Sequence, residues 1–360
     1  MRILHILNHL SDRGNGIVNV AVDLAIEQRK AGHIVAFASG HGGYESLLER
    51  SGVACYHLDQ SRSPTQLLSA FTEFKRILAQ FQPDIIHAHM RAGLLIAWPW
   101  SRTKHIPLVA HFHNVHEKTS ILMGLADRII AVSQSVSKSM QRQGMRPSKI
   151  RVVLNGTLNS YRVGQEGAIT PATLQRPAIT TVAGLNHRKG IEDLILAFNM
   201  IAGEFLDSHL YLVGDGPERK LFEQLASKSR FASRIHFEGF QSRPQTYMLS
   251  SDIFVLASRR ESFGLVLAEA RQAGCAIVAT EVDGIPEALE DGKAGLLIPP
   301  RDPVSLANAL RLLLGNDELR VEWQNKARRH IDLLTIKRMF EEVEQVYLEL
   351  VPANAVRLSA

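Results

Sequence analysis

The sequence predicts an α/β chain of two domains, each built on a parallel sheet wrapped by helices. Three observations lead there. The 360 residues exceed what one hydrophobic core of about 100–200 residues holds. Ile3–Leu7, a polar turn at 11–16, a helical stretch from about Val18 to Ala31 closed by Gly32, and the apolar run His33–Ser39 form a βαβ opening. A stretch without apolar period, Ser160–Pro177, carries Gly164, Gly167, Pro171 and Pro177, and after it a second βαβ series starts at Ala178–Val182.

Composition narrows the class of protein. Hydrophobic residues at 45% and charged residues at 21% are ordinary for a globular chain, which leaves little room for disorder outside the termini. Cys55 and Cys275 lie far apart without metal-ligand spacing, so neither a zinc site nor a disulfide framework is expected, and a reducing cytoplasmic setting is consistent. MRILHILNHL, broken by His5, Asn8 and His9, reads as a buried strand rather than a signal peptide. No apolar run approaches the length of a membrane span. The formal charge of +5 favours anionic partners, yet no helix-turn-helix, finger or RNP pattern accompanies it, so nucleic acid is not expected.

The elements follow in order. Asn15 and Gly16 stand where the first strand's carboxyl end meets its helix, the position at which doubly wound sheets bind ligands; the glycine there also serves a tight turn. PDIIHAHM from Pro83 and PLVAHFH from Pro107 read as short buried strands, each ending in histidines, with His89 and His113 closing them. His87, His105 and His111 read as core or rim residues, and a metal site from His89, His111 and His113 is the competing alternative. ADRIIAVS from Ala126 is another strand. The helix after it, Gln134–Gly144, carries Lys138 and Arg142 and reads as a solvated face or as a surface for anionic headgroups. In the second series Arg188 and Lys189 sit at a strand-to-helix turn, suited to phosphates as fork and point charge. Gly214 permits a tight turn after His209–Val213, and Phe240 follows the strand in RIHFEGF. SDIFVLAS from Ser251 delivers the stretch RRESFGLVLAEARQA. The final segment, Leu319–Leu350, reads as helical throughout, with fraying after Pro352.

In that stretch Ser262 is the expected helix cap, so the amides of Phe263, Gly264 and Leu265 would face an anion, helped by the helix dipole. Glu269 could accept from vicinal hydroxyls, while Glu261 stands before the cap. Two solvated glutamates on an ordinary amphipathic helix fit the stretch equally well.

Glu261 and Glu269 with Phe263, Gly264, Leu265 and Ala268 resemble the E-x7-E motif of the retaining glycosyltransferases of family 4. The resemblance implies the GT-B fold: two Rossmann-like doubly wound parallel-sheet domains facing across a cleft. It sets residues 1–165 as an acceptor domain, with the helix 335–351 packing back on it, and 175–334 as the nucleotide-sugar domain. It implies transfer of a hexose-type sugar from a nucleotide-diphosphate sugar to a glycan or lipid-linked acceptor, with retention and without a metal or other cofactor. A cytoplasmic location, with contact to the inner membrane face left open, goes with it. Glu269 would bind ribose. Lys189 with the amides near Gly264 and Gly16 would hold the diphosphate, Glu261 and His113 the transferred sugar, and Phe240 would lie near the base. His113, Glu261 and Lys189 form the implied catalytic set, and Asn15, Gly214, Phe263 and Leu265 complete the donor site. The chain departs from the family pattern twice: Asn15-Gly16 stands for a Gly-Gly pair, and Ala183-Gly184 stands where Gly-Arg is usual, with Arg188 as the candidate substitute. A nucleotide-sugar binder without turnover and an epimerase of the same fold remain as other classes.

Overall fold

A computed structural model describes residues 1–60, 64–113, 120–164 and 169–351. The chain divides into two compact units, Met1–Gln165 with Leu334–Ala360, and Glu166–Leu333. The tail expected to fray after Pro352 lies outside the described residues.

The first unit holds seven parallel strands, β1 (Arg2–His9), β2 (Ile34–Gly40), β3 (Ala54–His57), β4 (Ile85–Ala88), β5 (Leu108–Phe112), β6 (Arg128–Ala131) and β7 (Ile150–Val152). They lie in the order β3-β2-β1-β4-β5-β6-β7. β1, β2, β4 and β5 read as nearly continuous apolar runs because helices cover both faces of a parallel sheet. The helix Gly16–Lys30 buries Val18, Ala21, Val22, Ala25 and Ile26 against β1 and β2. It begins two residues before the expected start, because the Asn15 side chain caps it by accepting from the Ile17 amide at 3.1 Å.

The second unit holds six, β8 (Ala178–Val182), β9 (His209–Val213), β10 (Ile235–Gly239), β11 (Ile253–Leu256), β12 (Ala276–Thr280) and β13 (Leu296–Ile298), in the order β10-β9-β8-β11-β12-β13. Its core joins Ile179, Leu210, Leu212, Ile253 and Val255 to Leu194, Ile195 and Phe198 of the helix Ile191–Ile201 and to Leu306, Leu310 and Leu313 of the helix Pro303–Leu314. In both sheets the strand order reverses beside the first strand, between β1 and β4 and between β8 and β11. Those are the topological switch points, where connections leave in opposite directions and open a crevice at the strands' carboxyl ends.

The expected continuous terminal helix is not found. It is replaced by a helix Asp317–Ala327, a 3₁₀ turn Ile331–Leu334 and a helix Ile336–Leu348. His330 takes a left-handed φ of 52°, and Thr335 starts a new helix by capping the Arg338 amide, so the apolar period runs on while the backbone does not. The break falls where the chain passes from the second unit back to the first. There the helix Ile336–Leu348 packs on the helix Gly16–Lys30 and buries Met339, Val343, Val346 and Tyr347. Just beyond it Glu349 pairs with Arg128 and Arg151 at 2.7 Å each. Among the described residues no helix is long and apolar enough to cross a membrane.

Candidate functional site at the second switch point

The turn after β8 and the turn after β11 meet because their strands are neighbours, with Ile253 in register with Ile179 and Phe254 with Thr180. The β8 turn ends in a short 3₁₀ segment, His187–Lys189, closed by Gly190 at φ 65°. A Cβ on Gly190 would lie 1.9 Å from the Ala257 carbonyl oxygen, so only glycine lets the two turns come this close. The Arg259 amide donates to the Arg188 carbonyl at 2.7 Å and locks them. The Arg259 guanidinium then grips Asp193 in a fork at 2.8 and 3.0 Å, tying the β11 turn to the helix that follows Lys189.

This lock brings Lys189 and Glu261, 72 residues apart, into a direct ion pair. Both side chains are largely covered, at 15% and 13% exposure, so the charges see less screening than a surface pair would. The Glu261 backbone is held independently: its amide donates to Asp283 Oδ2 at 2.9 Å and its carbonyl accepts from the Gly284 amide at 3.0 Å. Ser258 Oγ donates to Glu261 Oε2 at 3.5 Å.

The helix Leu265–Ala273 starts in front of this pair, but its cap is not Ser262. Gly264 occupies the cap at φ 84° and ψ 62°, and as a glycine it brings no side chain to the cap. The left-handed residue turns the chain sharply enough that the first helical bond, Leu267 amide to Gly264 carbonyl, closes at 2.8 Å. The first-turn amides without an intrahelical carbonyl are therefore those of Leu265 and Val266, and the cap falls two residues later than expected. Phe263 is buried and anchors the turn. Glu269 is half-buried one turn into the helix. Behind it Arg271 is almost fully buried and donates to the carbonyls of Ala288 and Ala327 at 2.8 Å and of Arg329 at 2.6 Å, which fixes the helix from its far side.

Gly214 sits at φ 133°, where a Cβ would reach 2.1 Å from the Ala183 carbonyl, so the β9 turn packs directly under the β8 turn. Gly216 does the same to Leu185. Arg188 is exposed and donates to the Arg260 carbonyl at 3.4 Å. Phe240 is 51% exposed beyond β10, a large apolar ring left in solvent. The turns after β8, β9 and β11 thus bring Lys189, Glu261, Gly214 and the Gly264 helix start to one end of one sheet.

His113 and the Asn15-Gly16 turn belong to the first unit, where the corresponding switch point has a different chemistry. His89 and His113 stand just past β4 and β5, and with His5, His87 and His111 they form a buried cluster. Ring nitrogens of His5, His87 and His89, and of His89, His111 and His113, lie within 4.8 Å of one another, a spacing a cation could use. The donor set argues against one. Among the described residues the charges acting on these rings are those of one another, with no carboxylate to offset a buried dication, and His5 and His89 already spend ring nitrogens on hydrogen bonds. Burial pushes His5 down to about 4 and His113 to about 3, so both are neutral at ordinary pH. His105 is exposed with φ 54°, a helix end away from the cluster.

Sequence reasoning passed over Asp283, Ser258 and Arg259, which hold Glu261 and Lys189, and His5 and Gln28, which hold His89. One signal was available: His87-x-His89 and His111-x-His113 are spaced by two, which puts each pair on one face of its strand.

Two family models match, one in each unit. Glycosyltransferase Family 4 covers residues 14–157, and Glycosyl transferases group 1 covers 168–330. The N-acetyl-alpha-D-glucosaminyl L-malate synthase of Bacillus anthracis is 33% identical over 170 residues, 47% of this chain and 44% of that protein. The chain thus spans less than half of that relative. It matches 65% of the lipopolysaccharide core biosynthesis glycosyltransferase LpsE of Rhizobium meliloti, at 26% identity over 63% of this chain. The phosphatidyl-myo-inositol mannosyltransferase of Mycolicibacterium smegmatis is 26% identical across 96% of this chain and 93% of its own. Among solved structures, Anabaena HepE in complex with UDP superposes with a TM-score of 0.81 at 21% identity, over 97% of this chain and all of its own. WaaG, a glycosyltransferase involved in lipopolysaccharide biosynthesis, superposes at 0.74 with 18% identity, over 96% and 99%. With one family model on each unit and the same paired Rossmann-like sheets in its structural neighbours, this chain belongs to the family 4, group 1 glycosyltransferases of the GT-B fold.

Proposed function

We propose that the chain is a glycosyltransferase that moves a hexose-type sugar from a nucleotide-diphosphate sugar to a glycan or lipid-linked acceptor in polysaccharide or glycolipid synthesis, with retention and without a metal. The observation that carries this is the Lys189–Glu261 pair set before the glycine-started first turn of the helix Leu265–Ala273. An ammonium and outward amides suit a diphosphate, and the charge that grows on it as the sugar leaves is met by donors already in place. Lys189 then supplies the positive charge a divalent cation would otherwise bring. Glu261 holds Lys189 in the free protein and stands beside the position where positive charge develops on the sugar. Glu269, a turn further on, is assigned to the ribose, and the exposed Phe240 to the base. The resemblance assigns His113, Asn15 and Gly16 to the sugar and phosphates. HepE was solved with UDP and with UDP-glucose, which favours a uridine nucleotide as the first probe.

The test is calorimetric titration with UDP, GDP and ADP, followed by product analysis with the matching sugar donors in EDTA. Binding of one nucleotide, transfer that survives chelation, and a product with the donor's anomeric configuration are expected. Transfer abolished by EDTA and restored by a divalent cation would remove the metal-free mechanism. An inverted product would remove retention.

A further inference from the structure

The histidines of the first unit are joined end to end. His113 Nε2 meets His89 Nδ1 at 3.4 Å, and His89 Nε2 meets His5 Nδ1 at 2.9 Å. His5 Nε2 meets Gln28 Oε1 at 2.7 Å, Gln28 Nε2 donates to the Tyr347 hydroxyl at 3.1 Å, and that hydroxyl bonds His87 Nδ1. The chain runs from the end of β5 through β4 and β1 to the helices Gly16–Lys30 and Ile336–Leu348, and every member is buried.

Such a chain has a direction. A neutral imidazole carries one N–H and one lone pair, so each ring that donates at one nitrogen must accept at the other. Gln28 Oε1 can only accept, so His5 carries its proton on Nε2 and accepts at Nδ1. His89 therefore donates from Nε2 and accepts at Nδ1, and His113 donates from Nε2. Its other nitrogen, Nδ1, is left as a lone pair. On the second branch Gln28 donates to Tyr347, which donates to His87 Nδ1. Turning the Gln28 amide over would reverse each of these bonds in turn, because no ring can change alone without setting two donors or two lone pairs face to face.

We propose that Gln28 and Tyr347 are positioning residues that set the tautomer of His113 through this chain, so that His113 meets its ligand as a hydrogen-bond acceptor at Nδ1. Burial supports this by keeping the rings uncharged, the only state in which the tautomer carries information. The consequence is a specificity. The ligand group at His113 must donate, as a sugar hydroxyl does, and a carboxylate such as that of a uronic sugar is refused there by lone-pair repulsion. This consequence rests on the transferase reading, whereas the tautomer itself does not.

The test is long-range nitrogen–proton NMR of the full chain labelled with ¹⁵N-histidine, which separates protonated from unprotonated ring nitrogens. In the wild type, His113 should be protonated at Nε2 and bare at Nδ1. In Gln28→Leu, and independently in Tyr347→Phe should the first variant fail to fold, the His113 tautomer should become mixed. Sugar-transfer kcat/KM should then fall about tenfold, the worth of one mismatched hydrogen bond. Gln28→Glu keeps an acceptor on His5 and should restore the His113 tautomer. A wild-type His113 protonated at Nδ1, a tautomer indifferent to both variants, or a stoichiometric metal with bare nitrogens on three rings would overturn the proposal. The expected tautomers in a protein that binds no nucleotide sugar would instead sink the transferase reading and leave the chain standing.

Discussion

Lowering the pH from about 7.5 to about 5 should destabilise the first unit markedly. His5 and His113 have folded pKa values of about 4 and about 3, against 6.5 for an exposed ring. Between 6.5 and those values the unfolded chain binds protons that the folded chain refuses, so stability is complete above about pH 6.5 and falls as the pH drops below it. Each ring costs about 1.4 kcal/mol per pH unit, hence roughly 2 kcal/mol by pH 5, and the two together roughly 4. His87, His89 and His111 lie well below their ordinary value and add in the same direction. Asp23 opposes them: burial raises it to about 6 despite its pairing with Arg162, so its protonation returns about 1 kcal/mol over the same range. A net loss of about 3 kcal/mol or more is a large part of the ~5–15 kcal/mol that holds a domain folded. Urea titrations at the two pH values, read by hydrogen exchange on β4 and β5 against β11 and β12, measure it. Equal midpoints for the first unit at both values would refute the reasoning. His111→Phe gives an internal check. That ring stacks 4.1 Å from His113 and 5.3 Å from His87 with neither nitrogen bonded among the described residues, so a phenyl should leave stability at pH 7.5 intact and shallow the pH slope.

Other expectations concern the second unit. Lys189→Met should weaken nucleotide-diphosphate binding by roughly ten- to hundredfold, the value of a charge-assisted hydrogen bond, as read by calorimetry. Gly190→Ala would drive its Cβ into the Ala257 carbonyl and part the two turns, and a loss of transfer as large as that of Lys189→Met is expected in activity assays. Arg271→Met strips three carbonyls of their donor and Glu290 of its cation, so a drop of about 3 kcal/mol in the second unit's urea stability is expected, with the first unit's transition unmoved.

The sequence by itself determined the alternation of strands and helices and the two-series layout, because a strand covered on both faces is apolar along most of its length, as in β11 and β12. It also pointed to Glu261, Glu269 and Lys189, whose spacing carries the family pattern. Only the tertiary structure decided that Lys189 pairs with Glu261, that Gly264 rather than Ser262 starts the helix, and that Gln28 and Tyr347, 319 residues apart, complete the chain from His113. The reason is physical. Periodicity reports which side of an element is buried, whereas contacts between distant residues depend on strand order, and backbone reversals at Gly264 and His330 are set by packing that no local pattern records.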